Sequence, residues 1–127
     1  MMRLGEVTYL VRDYDEAITW FTDRLGFVLA TDADLGAGKR WVRVVPAGGG
    51  TALLLAKAVG KQVASIGRQA GGRVFLFVHS DDFEHDHARL RATGINFVEE
   101  PRHEAYGIVA VFEDLYGNRW DLIQLKR

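Results

Sequence analysis

The chain has 127 residues, no cysteine and a formal net charge of −1. That excludes disulfides, thiolate metal sites and cysteine nucleophiles, and it leaves no electrostatic case for nucleic acid or an acidic membrane as partner. Apolar residues at 48% and charged residues at 26% suit one globular domain, or two small modules sharing a core.

The first strand is expected around Gly5–Val11, rich in β-branched and aromatic residues. Asp13 and Glu16 then read as a capping box that opens a helix. Tyr14, Ala17, Ile18, Phe21 and Leu25 recur at helical spacing, and Gly26 stops the run. Strands follow at Phe27–Asp32, Arg40–Pro46 and Thr51–Ala56, the last two joined by the turn Ala47-Gly48-Gly49-Gly50. Val59–Gly72, with little periodicity, reads as a linker at residues 59–72 between modules 1–58 and 73–127. The second module repeats the order: a strand at Arg73–His79, a helix from Asp81 to about Thr93 stopped by Gly94, then strands at Ile95–Glu99, Gly107–Glu113 and Arg119–Leu125. The longest apolar runs, Ala52–Ala56 and Val74–Val78, fall far short of the roughly 20 residues that span a bilayer. A soluble protein is expected, and the lack of cysteine and of a charged-then-apolar leader suits the cytoplasm.

The two modules are copies. Val7-Thr8-Tyr9-Leu10-Val11 is answered 67 positions later by Val74-Phe75-Leu76-Phe77-Val78. After one inserted residue the shift is 68, carrying Asp13 to Asp81, Gly26-Phe27 to Gly94-Ile95 and Gly49-Gly50 to Gly117-Asn118. The fold class is therefore α+β, two βαβββ modules in tandem, each a curled mixed sheet with one outer helix. Strand alternation puts Val7, Tyr9 and Val11 against the first helix and leaves Glu6, Thr8 and Leu10 on the opposite face. In the second module Val74, Leu76 and Val78 meet the helix, leaving Arg73, Phe75 and Phe77.

The opening run "VTYLVRDYDEAITWFTDRLGF" resembles the signature of the vicinal oxygen chelate superfamily, which includes glyoxalase I, bleomycin-resistance proteins, fosfomycin-resistance enzymes and extradiol dioxygenases. The closing "YGIVAVFEDLYGNRWDLIQ" is similar to that family's final hairpin, with Asp114, Gly117 and Asn118 kept and Leu115 in place of the usual proline. The resemblance implies metal ligands from the first and last strands of each module. In this chain those positions hold Glu6, Leu53, Arg73 and Asp121. Leucine has no donor atom and arginine stays protonated. Two carboxylates alone would hold only a weak, hydrated Mg²⁺ or Ca²⁺. No cofactor is expected beyond such a weakly bound divalent metal, with Glu6 and Asp121 its only ligands.

On this reading Arg73 takes the metal's electrostatic place and pairs with Glu6, Asp121 or both. The trio is then either a salt-bridge network ordering a dimer interface, or a ligand site in which Arg73 binds an anionic or carbonyl group and Glu6 or Asp121 acts as base. Phe75, Phe77, Trp41 and Tyr106 are expected to line the cavity, Arg43 to add a second positive group, and His103 to reach its mouth. Trp20, Phe21, Phe83 and Trp120 are expected in the core. His85 and His87, two apart on a helix, are expected at an edge or in solvent. The resemblance supports two functions. One is a homodimeric protein of bleomycin-resistance type that binds a small, partly aromatic or charged molecule without a tightly held transition metal. The other is a glyoxalase-like lyase or isomerase, or a dioxygenase-related enzyme, acting on a small oxygenated substrate.

Overall fold

A computed structural model describes every residue from Met1 to Arg127. Two compact units divide the chain, Met1–Ile66 and Gly67–Arg127. The first contains β1 (Glu6–Val11), α1 (Tyr14–Thr19), β2 (Val28–Gly36), β3 (Lys39–Val45) and β4 (Ala52–Lys57). The second contains β5 (Val74–His79), α2 (Phe83–Ala92), β6 (Asn96–Phe97), β7 (Arg102–Glu104), β8 (Gly107–Glu113) and β9 (Arg119–Leu125). The stretch expected as one linker is shared: Gly60–Ser65 forms 3-10 turns within the first unit, and residues from Gly67 belong to the second. No helix is long and apolar enough to cross a membrane.

Each unit is a mixed sheet with a helix on one face. In the first the strand order is β1-β4-β3-β2, with β1 parallel to β4 and the other pairs antiparallel. The second runs β5-β9-β8-β6, with β7 also paired to β8 and β5 parallel to β9. This is the tandem α+β arrangement expected from the repeated sequence.

The first helix starts because Asp13 accepts a hydrogen bond from Glu16 N at 2.8 Å. The Glu16 side chain also pairs with Arg12 one turn before it. Beyond Thr19 the helix widens into π turns over Trp20–Leu25. There the Thr22 hydroxyl donates to Ile18 O at 2.8 Å, drawing on the carbonyls of the preceding turn. Trp20, Phe21 and Leu25 are all buried in this stretch, and Phe21 meets Tyr9 edge to face at 5.2 Å. Gly26 ends the helix with φ +82°, a left-handed conformation that side chains beyond glycine disfavour.

Tyr9 and Val11 are fully buried, as period-two alternation requires of the helix-facing side of β1. In the second unit Trp120 is 1% exposed and stacks on Phe112 at 5.6 Å. α2 begins two residues later than expected, at Phe83, capped by Asp82, whose side chain accepts from His85 N. The short β7 has no counterpart in the sequence reading. Its three residues are Arg, His and Glu, without an apolar pattern to mark a strand.

Of the two places expected for His87, an edge or solvent, it takes the edge, half-buried against β6, the last strand of its sheet. It stacks on Phe83 at 5.4 Å and touches the Phe97 ring at 4.4 Å. Burial holds its imidazole below the usual range, Arg91 adds to this, and Glu100 opposes it. With the folded-state value depressed, the unfolded chain takes up the proton first as pH falls. Stability should therefore be complete above about pH 6.5, the ordinary histidine value, and decline below it towards the folded-state value. Urea midpoints at pH 7.5 and 5.5 should show a drop in the native chain that His87→Leu reduces.

Candidate functional site

In the first unit, strand register gathers the open-face residues into rows. Thr8 pairs with Leu54, Leu54 with Arg43 and Arg43 with Thr31, so these four share one row on the face away from α1. Trp41 stands two residues from Arg43 on the same face, opposite Ala33. Arg43 Nε lies 2.9 Å from Glu6 Oε1, an ion pair by distance but not an aligned hydrogen bond. The Arg43 terminal nitrogen donates to Thr31 Oγ1 at 3.2 Å. Glu6 thus has a guanidinium partner, and it is Arg43.

Trp41 is 41% exposed, high for an indole on a sheet. It lines a cleft of about 570 Å³ with Tyr14, Arg40, Leu54, Ala56 and Gln62. Arg40, which the sequence reading passed over, fixes one wall of this cleft. Its Nε and terminal nitrogen donate to the Asp32 carboxylate at 3.1 and 2.7 Å, and the other terminal nitrogen to Asp15 at 2.9 Å. These bonds keep the Asp32 carboxyl below its ordinary range and hold the Arg40 proton more firmly still. Arg40 also sits 5.1 Å from the centre of the Tyr14 ring, whose hydroxyl accepts from Arg40 N. Nothing in the local sequence marks Arg40, because its partners lie 8 and 25 residues away.

In the second unit, Asp121 lies in register with Phe77 on one side and Val111 on the other. Phe77 is 58% exposed and Phe75 half-buried. Asp121 Oδ1 is buried and accepts no hydrogen bond. Burial raises the Asp121 carboxyl above its ordinary range; Arg102 pulls it down and Glu99 pushes it up again. Arg102 is engaged elsewhere, with Glu99 at 2.9 Å and Glu104 at 2.8 Å. His103 is on β7, exposed, and Tyr106 is 49% exposed in the turn before β8.

The expected trio is therefore not assembled as the sequence reading had it. Arg73 is exposed, precedes β5 and forms no ion pair; the cation acting on Glu6 is Arg43 and the one acting on Asp121 is Arg102. Leu53 is buried in register with Val7, on the helix side of its sheet, so it does not match Asp121. The physical reason is a register irregularity between Val74 and Leu76. Such a slip changes which face a residue takes, and a constant sequence offset then stops marking equivalent positions.

Two tandem modules, each a mixed sheet with one helix, define the class of fold. A family model, the Glyoxalase/Bleomycin resistance protein/Dioxygenase superfamily, matches residues 3–122. The chain belongs to that superfamily. It is 52% identical over 122 residues to an uncharacterized protein of Shewanella frigidimarina, covering 94% of this chain and 90% of that one. Among solved structures it is similar to UcmS2, at 30% identity and TM-score 0.83, covering 97% of this chain and 98% of that one. It is also similar to TnmS3, an antibiotic binding protein from Streptomyces sp. CB03234, at 27% identity and TM-score 0.80, covering 99% and 98%.

Proposed function

We propose that this chain is a cytoplasmic, homodimeric protein that binds a small, partly aromatic or charged molecule without a tightly held transition metal. The observation that carries the reading is Trp41, an exposed indole standing beside Arg43 and over a cleft of about 570 Å³. An aromatic platform with a few placed charges suits such a ligand. The likeness to an antibiotic binding protein supports the same reading. Phe77 and Asp121 offer a comparable aromatic–carboxylate pair on the second sheet.

The metal-free part is supported by the donor set. Glu6 is engaged by Arg43, Leu53 is apolar and turned to the helix, Arg73 is a cation, and Asp121 stands with Phe77 and Val111. No three His, Asp or Glu side chains converge where they could hold an ion. That set does not fit a zinc, nickel or iron cage. The test combines two measurements on the purified full chain. Bleomycin, cationic with an aromatic bithiazole, should raise the melting temperature saturably, and protein from metal-supplemented medium should carry well under one equivalent of transition metal. A stoichiometric metal lost on Glu6→Gln or Asp121→Asn would sink the metal-free reading.

A second reading rests on Asp121. One oxygen of this half-buried carboxyl accepts no hydrogen bond, and burial raises its proton affinity, as a general base or acid of a glyoxalase-like lyase or isomerase requires. Because burial raises the folded-state value, ionised Asp121 costs the native state stability relative to the unfolded chain, a cost present above the folded-state value and absent below the unfolded one. Asp121→Asn should therefore raise the urea midpoint at pH 7, and raise it less at pH 3. Only a catalytic Asp121 would also lose turnover of a 2-oxoaldehyde hemithioacetal; a binding protein shows no turnover in either form.

A further inference from the structure

The second unit holds a group of arginines that nothing neutralises. Arg68 and Arg73 come from the Gly67–Arg73 loop, and Arg119 from the start of β9. They line one cavity of about 310 Å³ with Gly67, Gly72 and Gly117. No acidic side chain lines it. None of the three arginines is in an ion pair, whereas Arg40, Arg43 and Arg102 are each held by a carboxylate at 2.9 Å or closer. The neighbouring acids do not supply the missing charge. Asp114 accepts from Tyr116 N, Asn118 N, Asn118 Nδ2 and Trp120 Nε1 at 2.9–3.1 Å. Glu113 lies in register opposite Arg119 yet forms no ion pair with it.

The two arginine-bearing loops are built to stay together. Gly67 has φ +78°, and a Cβ there would fall 2.1 Å from the Tyr116 carbonyl oxygen. Only glycine lets the first loop lie directly on the Asp114–Asn118 turn. That turn is rigid because its backbone and Trp120 converge on a single carboxylate. The Gly67–Arg73 loop is itself made of two tight turns, Gly71 N donating to Arg68 O at 3.1 Å and Arg73 N to Ala70 O at 3.3 Å.

Three unpaired guanidiniums around one small cavity create a local positive field in a chain whose net charge is −1. Guanidinium forks match the oxygen geometry of phosphate, and a bound anion would offset the like-charge repulsion among the three. We propose that this cleft binds the phosphoryl group of a small molecule, at a site formed by second-unit residues alone. The cleft of the binding function proposed above is lined by first-unit residues, so either reading can fail without the other.

The experiment titrates the full chain calorimetrically in low-salt buffer with inorganic phosphate, pyrophosphate and phenyl phosphate, with chloride at matched ionic strength as blank. Saturable one-to-one binding of at least one phosphate is expected. It should weaken at least tenfold in both Arg73→Gln and Arg119→Gln and stay unchanged in Arg12→Gln, whose side chain pairs with Glu16. Tighter binding of phenyl phosphate than of inorganic phosphate would assign the group to an organic ester. Equal affinities would assign it to the free ion. Both cleft variants alter exposed side chains, and matching urea midpoints would show that folding is kept. Binding no stronger than the chloride blank, or affinities unmoved by Arg73→Gln and Arg119→Gln, would overturn the proposal.

Discussion

Replacing Asp114 with alanine should cost about 3 kcal/mol or more of stability, since several buried donors lose their acceptor at roughly 1–3 kcal/mol each. Asp114 is 7% exposed, Asn118 3% and Trp120 1%. One carboxylate serves the backbone N–H groups of Tyr116 and Asn118, the Asn118 amide and the Trp120 indole N–H. The Asn118 and Trp120 donors are buried, so their lost acceptor is not readily replaced by solvent. The Trp120 indole also stacks on Phe112, so loss of its anchor would loosen the core of the second unit. Asp114→Asn keeps the shape and one acceptor oxygen, and its expected loss is smaller. Asp15→Ala is the surface control, because Asp15 is 79% exposed and such pairs contribute about 0–1 kcal/mol. Urea denaturation of the three variants checks the order; a loss below 1 kcal/mol in Asp114→Ala would show that the turn is not held by this residue.

The largest functional effect is expected from Trp41→Ala. The indole supplies flat, rigid contact area at low entropic cost, and removing a central aromatic anchor typically costs about 2 kcal/mol of binding, about thirtyfold in affinity. Bleomycin affinity, measured by calorimetry or by the concentration dependence of the melting shift, should fall accordingly. Folding should change by less than about 1 kcal/mol, since the side chain is 41% exposed and leaves no buried cavity. Trp41→Phe keeps a ring on the platform and should recover part of the affinity. An unchanged affinity in Trp41→Ala would place the ligand elsewhere than the first-unit cleft.

The contrast between Asp114 and Asp121 shows how burial alone does not define a role. Both come from the closing hairpin. Asp114 sits among donors and organises a turn, while Asp121 has a buried oxygen with no donor in reach. The first is a structural carboxylate. The second has one oxygen that no structural contact uses.

Patterns short in range were readable from residues alone. Alternation assigned the faces of β1, Gly26 and Gly94 ended the helices, and β8 and β9 fall at the expected residues. The duplication led to the tandem α+β fold, because each copy carries its own apolar faces and turn residues. The superfamily, too, was legible in the opening and closing runs. Charge partnerships were not, and neither was the short β7. Arg43 reaches Glu6, Arg40 reaches Asp15 and Asp32, and Arg102 acts on Asp121 from a strand no apolar pattern announced. Local dihedral and burial preferences act over a few residues and leave a period in the chain, so they can be read there. Which carboxylate a guanidinium meets depends on strand register, and one irregularity between Val74 and Leu76 was enough to undo the correspondence drawn from a constant offset.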